Sequence, residues 1–277
     1  MLTQAEKGSA FVELHRRAGT FIIPNPWDVG SARLLANLGF EALATSSAGY
    51  AFSIGKSDNA VGRDAMLAHA ASVAAATDLP LSIDLDNGFG DAPEFVAETI
   101  RMAGATGAAG GSIEDATQRS ADPIYERALA VERIRAAADA ARDLPFPFTL
   151  TARCENFLVG RPDLKDTIER LQMYQEAGAE VLYAPGLTTA EQIAAVVSAV
   201  DRPVNVLMAL KGVELSVAEL SAIGVKRISV GSALARCALT ALLRGAREMK
   251  EYGTFRFGDD AEPFHTINSL FAPNDRN

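Results

Sequence analysis

The sequence predicts a single (β/α)8 barrel, and three observations predict it. Eight short apolar runs each follow a Gly or Pro break, stretches rich in Ala, Leu, Glu and Arg separate them, and one helix-to-strand phrase recurs. The runs are FIIPNPW (21–27), FEALATSS (40–47), LPLSIDLD (79–86), AAGGSIED (108–115), FPFTLTARC (146–154), AEVLYAP (179–185), RPVNVLM (202–208) and VKRISVG (225–231). The recurring phrase reads LANLGFEAL, MAGATGAAG, YQEAGAEVL and LSAIGVKRI. In each, a helix ends at a Gly, which tolerates the left-handed conformation of a C-cap, and a strand follows at once. Apolar strands alternating with amphipathic helices imply a parallel sheet covered on both faces. Right-handed crossovers leave a closed barrel or an open doubly wound sheet, and eight regular units favour closure. The open sheet would use GATGAAGG (104–111) as a nucleotide loop, but that segment precedes its strand and is spaced GxxGxxG.

Outside the barrel units, charges at helical spacing predict an N-terminal helix from about Gln4 to Arg17. The last barrel helix is expected over about Ala233 to Tyr252, followed by a connector, a short helix from about Pro263 to Phe271 and a frayed tail. The whole chain, 1–277, is therefore one domain, with a barrel core over about 21–252 and a C-terminal helical segment over about 259–272.

Bulk properties narrow the function. With 277 residues, 48% of them hydrophobic, the chain can bury one large core. A net charge of −9 with no local run of Lys or Arg disfavours nucleic acid and anionic membranes as partners. No 18-residue apolar stretch occurs, and the first residues lack a secretory core and cleavage site. Cys154 and Cys237 form no CxxC and no His cluster accompanies them, so neither a disulfide framework nor zinc is indicated, and a reducing cytoplasm fits best.

In such a barrel, chemistry collects at the carboxyl ends of the strands. Those ends read Asn25, Pro26, Trp27 and Asp28; then Thr45, Ser46 and Ser47; then Asp84, Leu85 and Asp86; then Glu114 and Asp115; then Arg153, Cys154 and Glu155. Strand alternation aims Asp84 and Asp86 to one side, where two carboxylates repel unless a cation sits between them. Mg²⁺ answers this, because it takes one or two carboxylates and keeps several waters, and Glu114 can complete such a site through water. The plainer reading of the pair is helix capping or a salt bridge near Asn87 and Gly88. Arg153, in a strand otherwise almost uncharged, needs an anion: a substrate carboxylate or Glu155. Ser46, Ser47, Ala48 and Gly49 form a small-residue turn whose N–H groups can approach an anion. None of His15, His69 and His265 falls at a strand end, and alternation turns Cys154 away from Arg153 and Glu155 as a packed thiol.

These strand ends resemble the isocitrate lyase and phosphoenolpyruvate mutase superfamily over about Phe21 to Gly231. The likeness rests on PNPWDVGSARLLANLGFEALATSSAG, Asp58, DLDNGFG, SIED, TARCENF and AGAEVLYAPG in that order. The resemblance implies a Mg²⁺ enzyme, or Mn²⁺ in its place, that acts on a small 2-oxo or 2-hydroxy carboxylate through an enolate-like intermediate. Carried over by residue, it implies that Asp84, Asp86 and Glu114 hold the metal and Asp58 holds a metal-bound water. Trp27, Ser46, Ser47, Ala48 and Arg153 would contact substrate, and Asp58, Glu114 and Arg153 would be catalytic. It also implies a tetramer, a dimer of dimers, in which the C-terminal helix exchanges between subunits; the apolar residues of FHTINSLF agree with that.

The departures from the family matter as much. Isocitrate and methylisocitrate lyases carry a Lys-rich, Cys-containing gating loop after the fourth strand, whereas this chain has ATQRSADPIYER (116–127) with neither residue. The catalytic acid or base is therefore open, with Tyr50 and Glu155 as candidates. Where some lyases place a Glu after strand six, this chain reads Ala184, Pro185, Gly186. The expected activity is carbon–carbon cleavage by lysis, decarboxylation or hydrolysis. Carbon–phosphorus chemistry on phosphonopyruvate is the alternative, kept open by Arg119 and Arg127. A non-catalytic acid-binding barrel is a third reading, and a sugar-phosphate barrel using VGSALARC (230–237) a fourth.

Overall fold

The computed structural model describes residues 2–272. The chain opens with α1 (Gln4–Arg16), whose start is fixed by a reciprocal pair: the Thr3 hydroxyl accepts from Glu6 N–H while the Glu6 carboxylate takes the Thr3 N–H. Eight parallel strands follow: β1 (Phe21–Ile22), β2 (Leu43–Ala44), β3 (Leu81–Asp84), β4 (Gly110–Glu114), β5 (Thr149–Arg153), β6 (Val181–Tyr183), β7 (Val204–Leu207) and β8 (Arg227–Ser229). The helices between them are α2 (Val29–Asn37), α3 (Ser47–Ser53), α4 (Arg63–Ala74), α5 (Pro93–Gly104), α6 (Arg127–Arg142), α7 (Leu164–Glu176), α8 (Ala190–Ser198) and α9 (Val217–Ile223). After β8 come α10 (Ala233–Tyr252), a 3-10 turn (Arg256–Asp260) and α11 (Phe264–Phe271).

The strands pair in the order β1-β8-β7-β6-β5-β4-β3-β2. The ring closes between β1 and β2 through Ala44 N–H donating to Pro24 O at 3.1 Å. Pro24 and Pro26 have no N–H to give, so the ladder at this seam cannot lengthen and β1 stops at Ile22. All eight expected strands and the closed barrel are thus present. The recurring helix–Gly–strand phrase has its physical cause in Gly178 and Gly224, at φ 110° and 95° after α7 and α9. A Cβ on Gly178 would also come within 2.8 Å of the Ala138 methyl.

Alternation divides the core in two. Outward residues Ile83, Ile113, Leu150, Leu182, Val206 and Ile228 pack under Ile100, Ile134, Leu171, Ile193 and Leu220 of the helices. Burial of each such side chain is worth about 1.5–3 kcal/mol. Inside the barrel, Phe11 of α1 plugs the amino end against Phe21, Ile23, Ala42 and Ala109. Gly110 admits that ring, since a Cβ there would stand 3.0 Å from Phe11 and 2.5 Å from Thr149 O. Above the plug the interior is polar.

Two local features differ from the sequence expectation. Residues 47–53 form the helix α3 rather than an open turn, because the Ser46 hydroxyl caps it by accepting Gly49 N–H at 3.1 Å. Strand β3 ends at Asp84, and Asp86 lies in the left-handed region at φ 48°, so a turn rather than strand alternation aims it. The helix α11 lies against α2 of the same chain, where Asn37 Nδ2 donates to Leu270 O at 2.7 Å. Among the described residues no helix is long and apolar enough to cross a membrane.

Candidate active site

Asp84 is held from two sides. Arg153 Nη1 donates to its Oδ1 at 2.8 Å, while Ser47 Oγ and Ser47 N–H donate to its Oδ2 at 2.9 and 3.1 Å. The small-residue turn therefore spends donors on Asp84. The Asp86 backbone is tied by its carbonyl, which accepts Glu114 N–H at 3.0 Å, and Gly88 at φ 78° completes the bend.

Arg153 is the hub. Besides Asp84 it reaches Glu114 Oε2 at 3.2 Å and Glu155 Oε1 at 2.9 Å, and its guanidinium carbon lies 5.2 Å from the Tyr183 ring centroid. Three carboxylates surround the one cation, which holds its pKa far up despite burial. The negative charge is still in excess, with Asp58 and Asp86 close enough to act on the same groups. Burial first, then the Asp84 charge, raises Asp86 to about 7. Burial likewise raises Glu114 and Glu155 against the pull of Arg153. Asp58 is raised mainly by desolvation.

Two cavities meet at these groups. An inner one of about 180 Å³ is lined by Ser46, Ser47, Ala48, Asp58, Asp84 and Arg153 together with deeper barrel residues. An outer one of about 600 Å³ is lined by Asp58, Asp86, Glu114, Arg153 and Glu155. Its far wall is the 116–127 segment, through Gln118, Arg119 and Ser120, with Arg119 paired to Asp91 at 2.9 Å. As arranged, no three His, Cys, Asp or Glu side chains among the described residues converge on one metal-sized point.

The structure thus brings together Ser46, Ser47, Ala48, Asp58, Asp84, Asp86, Glu114 and Arg153. It does not bring Trp27 to either cavity; that side chain packs behind the turn, its Cβ 3.1 Å from where a Gly49 Cβ would stand. Tyr50 stacks on His69 with ring centroids 3.8 Å apart and lines neither cavity, whereas Glu155 does line one. Cys154 is fully buried in the outer core. Asp115 faces Tyr174 Oη at 2.5 Å and Arg170 at 3.3 Å, in a packing network behind the strands. In VGSALARC, Val230 N–H and Gly231 N–H both donate to Asn25 Oδ1 at 2.9 Å, so these donors are already engaged.

Several polar lining residues escaped the sequence reading, among them Tyr183, Asn205, Arg227 and Ser229. Their signal was present as polar residues inside apolar strands, in AEVLYAP, RPVNVLM and VKRISVG. Asn205 lies inside β7 and Arg227 opens β8 at its amino end, so of these only Tyr183 and Ser229 stand at the carboxyl ends of their strands.

The fold and this cluster define the class. Residues 11–250 match the family model described as phosphoenolpyruvate phosphomutase, and the chain belongs to that family. It is 32% identical over 205 residues to 2-methylisocitrate lyase of Escherichia coli (strain K12), covering 71% of this chain and 68% of the relative. Among solved structures, it superposes on that of a lyase/mutase candidate from Burkholderia cenocepacia J2315 with TM-score 0.96 and 64% identity, covering 98% of each chain. It also superposes on oxaloacetate acetylhydrolase in complex with the product oxalate, with TM-score 0.84 and 27% identity over 97% of this chain and 93% of the other.

Proposed function

We propose that the chain is a divalent-metal-dependent enzyme that cleaves a carbon–carbon bond in a small 2-oxo or 2-hydroxy carboxylate. The observation that carries this is the ring of Asp58, Asp84, Asp86, Glu114 and Glu155 around the single guanidinium of Arg153, at the carboxyl end of the barrel. The relatives' lyase and acetylhydrolase names support the same reaction class.

The donor set fits Mg²⁺ or Mn²⁺. It is all oxygen, its carboxylates crowd one another, and burial first and then those neighbouring charges raise Asp86 and Glu114, a cost that a bound cation would offset. Asp84 and Asp86 would hold the ion directly, with Glu114 and Asp58 acting through its waters. When bound, the metal supplies Lewis-acid stabilisation of negative charge on the substrate oxygen.

The chain's own residues do the rest. Arg153, pinned by Glu114 and Glu155, presents a fixed cation to the substrate carboxylate without reorganising. Ser46 and Ser47 set the inner wall. The 116–127 segment walls the outer cavity through Gln118, Arg119 and Ser120. Glu155 and Asp58, both carboxyls with raised pKa, are the groups placed to carry a proton. The chain also assembles as a homo-oligomer through the apolar face of α10 and α11. A panel of short oxo- and hydroxy-acids, including oxaloacetate and alkylmalates, assayed with Mg²⁺ for pyruvate, glyoxylate or oxalate, tests the reaction; phosphonopyruvate in the same panel tests carbon–phosphorus cleavage.

A further inference from the structure

We infer that Arg227, Asn205 and Ser229 form a second anion subsite inside the barrel, which takes the far carboxylate of a dicarboxylate substrate. This deepens the proposed function and rests on it for the near end of the ligand. The starting point is a charge imbalance opposite to the one at the mouth. Arg227 is 4% exposed, yet every group it bonds is neutral: Asn205 Oδ1 at 2.9 Å, Thr151 Oγ1 at 3.1 Å and His15 Nε2 at 3.4 Å.

The other strongly buried arginines feel a carboxylate. Arg153 has three and Arg170 has Asp115 and Asp166, while Arg133 bonds only the Gly90, Asp91 and Asn87 carbonyls over the Tyr125 ring but has the Asp91 charge acting on it. No carboxylate acts on Arg227, and burial pulls its pKa down to about 10. His15, lowered to about 3 by burial and by Arg227 itself, is neutral and adds no negative charge. A guanidinium buried without a counter-ion is costly unless an anion reaches it.

The cavity supplies the route. Arg227, Asn205 and Ser229 line the same inner space of about 180 Å³ as Ser46, Ser47 and Arg153. Arg227 and Asn205 also share one row of the sheet with Arg153: Arg153 is the register partner of Tyr183, Tyr183 of Asn205, and Asn205 of Arg227. Barrels of this type fill the interior with bulky branched residues, but the inward positions here include Ser82, Ser112, Thr151 and Ser229. Asn205 Nδ2 donates to Ser229 Oγ at 3.0 Å, and the Ser229 hydroxyl in turn donates to Val206 O at 3.4 Å, a long bond that a nearby anion can replace as the better acceptor. The row therefore carries a cation at each end of a small polar space, which suits one ligand with two negative ends.

Calorimetry on the full chain tests this with succinate and glutarate against their monoamides, each with and without Mg²⁺, and with oxalate as a ligand confined to the mouth. The subsite predicts that at least one dicarboxylate binds about tenfold tighter than its monoamide. Arg227→Gln removes that preference and leaves oxalate affinity within about threefold. Because Arg227 also ties α1 to the barrel floor, Asn205→Ala and Ser229→Ala serve as milder variants, each expected to shrink the preference. Equal binding of acid and monoamide by the wild type, or an unchanged preference in folded Arg227→Gln, overturns the inference. Failure of oxalate to bind with Mg²⁺ counts against the metal-dependent reading, while the acid-to-monoamide ratio measured without metal still reports on Arg227.

Discussion

Arg153 and Asp84 face each other across the barrel mouth at 2.8 Å, and the second oxygen of Asp84 is taken by Ser47 at 2.9 Å. One carboxylate thus links Arg153 of β5 to the start of α3. Any ion or substrate that enters must negotiate with this pair, because both residues line the inner cavity.

Arg153→Met is expected to lower kcat/KM by on the order of a hundredfold or more, since a preorganised charge facing the substrate is lost. The same change strands Glu114 and Glu155 without their cation, so stability in metal-free buffer should fall by about 3–5 kcal/mol. Steady-state kinetics and urea unfolding measure the two effects separately.

Ser47→Ala removes one charge-assisted bond to Asp84 and leaves the Ser47 N–H contact in place. A supporting bond of this kind orients a metal-holding carboxylate, so Mg²⁺ affinity should drop by about tenfold while the fold persists. Calorimetric Mg²⁺ titration reads the change directly.

The pH dependence of stability should carry a histidine signature. His15 titrates near 6.5 when unfolded and is lowered to about 3 in the fold by burial and by Arg227. The unfolded chain therefore binds more protons between those values, so stability is fully present above about 6.5 and is lost as pH falls towards 3. Urea unfolding at pH 7.5 and pH 5 should show this loss, and His15→Phe, flanked edge-on by Phe11 and Phe21, should reduce it.

Leu242, Leu243, Phe255 and Phe264 are 65, 50, 70 and 85% exposed, a larger apolar surface than a lone barrel usually leaves in water. Light scattering should return a multiple of the single-chain mass. Leu242→Glu with Leu243→Glu should shift the protein towards monomer; a wild-type monomer would remove the assembly.

Much of this architecture is legible in the sequence, for physical reasons. The left-handed glycines Gly39, Gly107, Gly178 and Gly224 punctuate four of the units, and eight apolar runs mark the strands. The acids Asp84, Asp86 and Glu114 stand out because charge is scarce in such strands. What escaped reading depends on three dimensions. The left-handed bend at Asp86 and the capping of α3 by Ser46 are set by local hydrogen bonding that strand periodicity does not report. Trp27, expected at a strand end, lies beyond β1, which stops at Ile22, and its N–H is tied to Ser31 Oγ at 3.0 Å in the first turn of α2. Arg227 looked like an ordinary strand residue; only the closed barrel shows that its neighbours are neutral.

The most direct test of the account is turnover of the oxo- and hydroxy-acid panel by wild type with Mg²⁺, by wild type with a chelator, and by Asp86→Ala. The account predicts release of pyruvate, glyoxylate or oxalate from at least one substrate, abolished by the chelator and reduced on the order of a hundredfold or more by Asp86→Ala. Product formation that ignores both the chelator and Asp86→Ala, or no product from any substrate, would contradict it.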